Sequence, residues 1–321
     1  MTLFLDEKAV AGLVGMDDAL DAVEEVFQEA GLGNVTNLPR ARAPLTDGTL
    51  RITAAVLGYR GYYGVKVSST TVFESSAGRV FSLYKAGTGE LAAIVQVFAM
   101  GALRTGAASG VATKYLARTD ASRLGVIGTG RQARTQVAAI CRVRPIREIR
   151  VFSRAPENRA RFCAVFAGLD ATVQPVDSAE KAARDSDVIV TATTATEPVL
   201  LGEWLVPGTH VNAIGANYEH RRELDSPAVS RMAVIAADDI EQVRYEATDL
   251  AAPVAEGVIG WQQVVGLGGI VAGTTPGRQS DGDVTMFKSL GVAMEDVALA
   301  ARAYEKALAA GIGQELPDLA G

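Results

Sequence analysis

The run LGVIGTGRQARTQVAAI, residues 124–140, constrains the fold more than any other part of the chain. An apolar strand enters a tight turn and leaves it as a helix. Gly128 permits the turn, Gly130 lets a pyrophosphate approach the backbone, and Ala133 lets the helix lie against the strand, which together spell G-x-G-x-x-A. The first N–H groups of such a helix lack partners, and its dipole favours an anion. Thr129, Arg131 and Gln132 belong to the same candidate cofactor site. Glycines in this spacing can also make a plain structural turn; the strand before and the helix after point to dinucleotide binding.

From Arg123 onward, short apolar runs (LGVIG, IRVF, ATVQPV, DVIVTAT, HVNAIG, MAVIAA) alternate with helical stretches, the pattern of parallel βαβ units. The text before them is different. Residues 49–97 carry β-branched and aromatic runs broken by glycine, which predict an antiparallel sheet. Leu20, Val23, Phe27 and Ala30 follow Asp17 and Asp18 at helical spacing, and ALRTGAASGVATKYLAR predicts a small-residue helix ending near Arg118. A last long helix is expected from Val284, with Phe287, Gly291, Met294, Val297, Ala301, Tyr304 and Leu308 on the face that packs onto the N-terminal domain. A chain of 321 residues is long enough for two cores. The expected fold class is α/β: a Rossmann doubly wound parallel sheet, residues 119–295, inserted in an α+β domain of residues 1–118 plus 296–321.

A net charge of -6 gives no reason to attract nucleic acid or an anionic membrane surface, and neither is expected as a partner. The first residues carry acids where a signal peptide has bases, and no apolar run approaches the roughly 18 residues of a membrane span. A cytoplasmic protein is expected. Cys141 and Cys163 lie in helix-like apolar text and read as buried reduced thiols. Two histidines cannot build a zinc site unaided, so no metal is expected. No Ser-His-Asp or Cys-His pattern suggests nucleophilic catalysis.

The second strand of the βαβ series runs into Ser153-Arg154, with no acid until Glu157. An acid there would bind the ribose hydroxyls, whereas a hydroxyl and an arginine accommodate a 2′-phosphate, so NADP(H) is favoured over NAD(H). Thr191, Ala192 and Thr193, at the end of DVIVTAT, complete the candidate cofactor contacts. Lys66 alternates with Val65 and Val67 and so projects from the opposite face of its strand, as a solvated surface lysine or as a functional one. Arg104 opens a small-residue helix, where its charge opposes the dipole. A structural salt bridge or a bound substrate carboxylate would each remove that conflict. A third cluster, Asn217-Tyr218-Glu219-His220-Arg221-Arg222-Glu223-Leu224-Asp225, follows HVNAIG at the edge where open α/β sheets bind ligands. His210 reads as a structural hydrogen-bonding residue; His220 is either an exposed loop residue or a proton donor.

Taken together, LRTGAASGVATKYLAR, GVIGTGRQARTQ, VTATTATEPVLLGEWLVPGTHVNAIGAN followed by RRELD, and VTMFKSLGVAMEDVA resemble the ornithine cyclodeaminase/mu-crystallin family. PRARAPLTDG and GVKV extend the likeness toward the N-terminus. The resemblance implies a homodimer, joined through a substrate-binding and dimerisation domain that surrounds the Rossmann domain, and a small-molecule amino or imino acid substrate. It maps Arg40, Lys66 and Arg104 to the region of the substrate carboxylate and reacting nitrogen. Asn217 stands where ornithine cyclodeaminases carry an aspartate, and it cannot titrate. The stretch between Lys66 and the GTGE turn is shorter than usual and lacks a Thr-His-Gln-Gly-like segment, which implies an altered pocket. The leading expectation is an NAD(P)H-dependent reductase of a ketimine of a 2-oxo acid, with Lys66, Arg104 and Asn217 at the chemistry and Arg40 on the carboxylate. An ornithine cyclodeaminase, an amino-acid dehydrogenase and a non-catalytic NADPH-dependent small-ligand binder are the alternatives.

Overall fold

The computed structural model describes residues 2–70, 79–218 and 220–317, and the chain divides into two compact units, Met1–Arg104 with Gly291–Gly321, and Thr105–Leu290. The divisions fall earlier in the chain than the 118/119 and 295/296 borders read from the sequence, the first of them inside a helix, α3, Phe98–Leu116. No helix among the described residues is long and apolar enough to cross a membrane.

The first unit is built on a seven-stranded sheet of β1 (Thr2–Leu5), β2 (Val35–Leu45), β3 (Gly48–Leu57), β4 (Tyr62–Ser69), β5 (Val80–Lys85), β6 (Leu91–Gln96) and β15 (Gln314–Leu316). Their order is β15-β1-β6-β5-β4-β3-β2, antiparallel throughout except for β1 beside β6. β3 to β6 fall where the glycine-broken runs placed them; β1, β2 and β15 were not read from the sequence. Helices α1 (Glu7–Leu13), α2 (Met16–Gly31) and α11 (Ala293–Ala310) complete the unit, and α11 packs on β3 and β4 with α2 beside it.

Period two decides what each face of this sheet holds. Thr53, Ala55 and Leu57 of β3 turn inward and are buried, while Ile52 before them and Val56 between them are exposed. The register of β2 against β3 shifts between Leu38 and Ala41, a β-bulge that changes which alternate residues of β2 face in. Asn37 before it, Arg40 within it and Arg42 after it are all half-buried, whereas Leu38, Ala41 and Leu45 are exposed. Residues 71–78, between Lys66 and the GTGE turn, include much of the stretch expected to be short and lie outside the described residues, as does Glu219.

The second unit carries eight parallel strands: β7 (Arg123–Ile127), β8 (Glu148–Phe152), β9 (Thr172–Pro175), β10 (Val188–Thr191), β11 (His210–Ala213), β12 (Val234–Ala237), β13 (Val264–Gly266) and β14 (Thr285–Lys288). The order β13-β12-β14-β11-β10-β7-β8-β9 reverses direction between β7 and β10, which makes it the expected doubly wound sheet. Its helices are α4 (Arg131–Val143), α5 (Pro156–Val165), α6 (Ala179–Ala183), α7 (Ser226–Ser230), α8 (Ile240–Glu246), α9 (Thr248–Ala255) and α10 (Leu267–Val271). Both faces are covered: Val126, Val188 and Val190 meet Val137 and Ile140 of α4, whereas Ile189, Val211 and Met286 pack with Leu224, Val229 and Leu250.

The long helix expected from Val284 begins only at Ala293. Thr285–Lys288 is instead β14, fully buried between β11 and β12. Phe287 happens to continue the helical spacing, but Gly291 has φ +76°, a left-handed conformation that separates strand from helix.

Candidate active site

In the second unit the Gly128 turn is fitted to the strand beside it. Gly128 has φ +114°, and a Cβ there would lie 2.3 Å from the Ala192 carbonyl oxygen at the end of β10. No larger residue fits. Gly130 is the N-cap of α4 and has open space where a side chain would stand, so a ligand can reach the backbone. No acid stands in the first turn of α4 and no side chain caps it, leaving its N–H groups and dipole for an anion. Ala133 is buried against the strand. Thr129 is half-buried, Arg131 exposed and Gln132 half-buried. Beyond β8, Ser153 Oγ donates to the Ala155 carbonyl at 3.3 Å and Arg154 is exposed. These residues fit a dinucleotide.

Thr191 and Thr193 are held by a residue that the sequence placed in the third cluster without a role. The buried carboxylate of Glu223 accepts hydrogen bonds from Thr191 Oγ1 (2.9 Å), Thr193 N (2.7 Å), Thr193 Oγ1 (2.8 Å) and Gly215 N (2.7 Å). It thereby ties the loop after β10 to the loop after β11. Asp249 accepts from the Glu223 and Leu224 N–H groups at 2.7 and 3.1 Å and from Lys288 Nζ at 2.8 Å, all of them buried. Burial, and then the Asp249 charge, push the Glu223 carboxyl above its usual range against the pull of Lys288. Asn217 lies half-buried in the loop after β11, its N–H donating to the Gly215 carbonyl at 3.2 Å. His220 is exposed, with its ring 5.7 Å from that of Tyr218. His210 is buried and bonded to Thr285 Oγ1, and burial pushes its imidazole down to about 3, in keeping with a structural role.

The first unit gathers Lys66, Arg104 and Arg40. Lys66 lies on the inner face of β4, the side covered by α11, and its ammonium donates to Asp296 Oδ2. Lys66 is therefore not a solvated surface lysine: Val67, its apolar neighbour, is the exposed one. Arg104 is in the second turn of α3, not at its start, because the helix begins at Phe98. Its Nε donates to Asp296 Oδ1 at 3.0 Å and its Nη1 to Glu295 Oε2 at 2.9 Å. The Arg40 guanidinium donates to the Gly291 carbonyl at 2.6 Å, and a Cβ on Gly291 would stand 2.5 Å from Arg104 Nη1.

The electrostatics follow from this packing. Burial pulls the Lys66 ammonium down to about 8, assisted by the charges of Arg104 and Arg40 and opposed by Asp296. Burial alone would raise the Asp296 carboxyl, but Arg104 and Lys66 outweigh it and hold that carboxyl below its usual range. A lysine so placed gives up a proton near neutral pH without losing its orientation. Glu295 and Asp296 escaped sequence reading. Their signal was faint: two acids inside the apolar run AMEDVALA, where acids at a helix start have an ordinary capping use.

Cys141 and Cys163 are free and only half-buried, less enclosed than expected; burial still pushes the Cys141 thiol up to about 11. Among the described residues no cluster of His, Cys, Asp or Glu could hold a metal ion.

Solved structures similar to this chain share both units. The Thermococcus litoralis Delta(1)-pyrroline-2-carboxylate reductase in complex with NADH and L-proline superposes with TM-score 0.92 at 36% identity, covering 98% of this chain and 100% of that one. An archaeal alanine dehydrogenase dimer with bound NAD gives 0.92 at 35% identity over 99% of each. The iminosuccinate reductase of Paracoccus denitrificans in complex with NAD+ gives 0.91 at 30%, over 98% and 99%. The profile of the ornithine cyclodeaminase/mu-crystallin family matches residues 1–311, and the chain belongs to that family.

Proposed function

We propose that this oxidoreductase uses NAD(P)H to reduce a ketimine of a 2-oxo acid, such as a cyclic imine carboxylate, to an L-amino acid. The observation that carries the reading is the buried Lys66–Asp296–Arg104 cluster, a proton donor of moderated acidity fixed beside guanidinium groups. Likeness to a pyrroline-2-carboxylate reductase and an iminosuccinate reductase supports it. Asn217, in the place of a titrating aspartate, weighs against cyclodeamination.

The Gly128–Ala133 turn, Ser153 and Arg154, and the Thr191–Thr193 strand end would hold the cofactor. Bound NAD(P)H supplies the hydride that the imine carbon receives. Arg104 and Arg40 clamp the substrate carboxylate. The Lys66 ammonium gives its proton to the imine nitrogen as the C=N double bond becomes CH–NH, and is reprotonated from water. Asn217 orients the substrate by hydrogen bonding. The cofactor is NADP(H) in preference to NAD(H), because Ser153 and Arg154 offer a 2′-phosphate a hydroxyl and a cation, with no carboxylate to repel it. Active molecules are homodimers, formed through the apolar outer face of β2, β3 and β4, where Leu38 (53% exposed) and Val67 (47% exposed) meet water in the single chain. Free thiols are in keeping with a cytoplasmic location.

Oxidation of NADPH and NADH in the presence of cyclic imine carboxylates, and of 2-oxo acids with amines, tests the proposal. Turnover is expected with at least one imine, with NADPH bound at least ~10-fold more tightly than NADH; no turnover refutes the reaction, and equal or reversed affinity refutes the cofactor preference. Lys66→Met is expected to lose at least ~100-fold in kcat while keeping dinucleotide affinity. A non-catalytic binder has no turnover to lose.

A further inference from the structure

Beyond the cluster already described, the inner face of the first sheet carries a row of arginines. Arg42 of β2 is directly opposite Arg51 of β3, and Arg51 is opposite Ser68 of β4. Val67 pairs with Val80, so the same register carried one residue further sets Arg79 beside Ser68. Alternation puts Ser68 on the face of Lys66, and Thr53, opposite Lys66, on the face of Arg51. The row therefore lies two residues along the strands from Lys66, roughly 7 Å by the strand rise.

Like charges facing each other across strands repel. The Arg79 guanidinium is pushed below its usual range by burial and then by the Arg51 charge. Arg79 also lies 5.3 Å from the centre of the Phe98 ring, which keeps its guanidinium near the start of α3, the helix that carries Arg104. Two buried polar atoms on this face, Arg51 Nε and Thr53 Oγ1, have no hydrogen-bond partner among the described residues. Buried donors of this kind call for a polar occupant. Near Lys66, by contrast, the cations Lys66 and Arg104 are paired with Glu295 and Asp296, and the Arg40 guanidinium donates to the Gly291 carbonyl.

We propose that Arg51 and Arg79 form a second anion subsite on the inner sheet face, which makes a dicarboxylic imine the preferred substrate. This rests on the imine reduction proposed above. One carboxylate sits with Arg104 and Arg40, the imine nitrogen faces Lys66, and the side-chain carboxylate lies on Arg51 and Arg79, where long guanidinium arms reach across the row spacing. Likeness to an iminosuccinate reductase is compatible with this assignment, which the arginine row carries on its own.

The test compares kcat/KM for ammonium with oxaloacetate or 2-oxoglutarate against ammonium with pyruvate, and binding of L-aspartate against L-alanine by calorimetry. Wild-type protein is expected to favour the dicarboxylic imine and L-aspartate by at least ~10-fold. Arg51→Gln and Arg79→Gln shrink that ratio several-fold, while Arg51→Lys keeps most of it. A wild-type ratio near one, or an Arg51→Gln that lowers both substrates in equal proportion, overturns the subsite. If no imine is reduced at all, the proposed reaction fails, and binding alone decides: aspartate preference lost in Arg51→Gln upholds the subsite, and its absence overturns it. Inorganic phosphate that competes with L-aspartate while the dicarboxylic imine enjoys no preference marks a general anion site and also overturns the assignment.

Discussion

Replacing Asp296 with asparagine separates charge from shape at the centre of the site. The variant keeps one acceptor oxygen for Arg104 or Lys66 but removes the charge that both now share. Burial, Arg104 and Arg40 all pull the Lys66 ammonium down, and Asp296 opposes them to leave it at about 8. A charge pair at contact distance is worth about 4 kcal/mol at an effective dielectric of 20, an upper limit here because asparagine still accepts a hydrogen bond. Taking about half of it, and about 1.4 kcal/mol per pKa unit, Lys66 falls by roughly 1 to 2 units. Imine reduction needs the protonated lysine, so kcat/KM declines as pH rises through the Lys66 pKa. In wild-type protein that decline is expected near 8, and in Asp296→Asn near 6 to 7, by the same arithmetic. The variant also leaves a buried guanidinium short of a counter-charge, a loss of about 3 kcal/mol in a denaturant titration. A pH profile of initial rates between 6 and 10 reads the shift directly. A limb that stays in place, or moves upward, would refute Lys66 as the proton donor and Asp296 as the group that sets its acidity.

Glu223→Gln turns an acceptor of four hydrogen bonds into a group with a competing donor, so it is expected to raise the KM for the dinucleotide about 10-fold with a smaller effect on the imine KM. Equal effects on both would leave Glu223 a merely structural residue. Gly291→Ala places a methyl 2.5 Å from Arg104 Nη1 at φ +76°, a strain of about 1–2 kcal/mol, and should raise the imine KM at least ~10-fold while dinucleotide affinity, measured by fluorescence, is unchanged.

Much of this was legible because it is local. The Gly128 turn announces itself within a few residues, and so do the glycine-broken strands β3 to β6. Residues whose meaning depends on distant partners were not readable in that way. The charge of Arg104 looked misplaced until Glu295 and Asp296, some 190 positions away, came to meet it. Lys66 resembled a surface lysine because alternation reveals only that it opposes Val65 and Val67; which of the two faces is covered depends on α11, contributed by the end of the chain. For β14, spacing misled. Its buried run offers no polar alternation, and a parallel strand covered on both faces cannot be told from a helix segment by period alone.

The bulge in β2 has a consequence for how this sequence can change. Before Leu38 the inward residues are odd-numbered, and after Ala41 they are even-numbered, so the irregularity works as a phase corrector between the Asn37 contact to the Met294 N–H and the arginines that follow. A strand drawn straight with every residue kept would turn Arg40 and Arg42 out to water and bring Ala41 and Ala43 in, whereas loss of Pro39 would absorb the bulge and leave Arg40 opposite Thr53 and Arg42 opposite Arg51. The extra residue is thus what β2 absorbs in the bulge; taken up by a slip of the whole strand instead, it would strip the site of two cations and scatter charge across the apolar outer face.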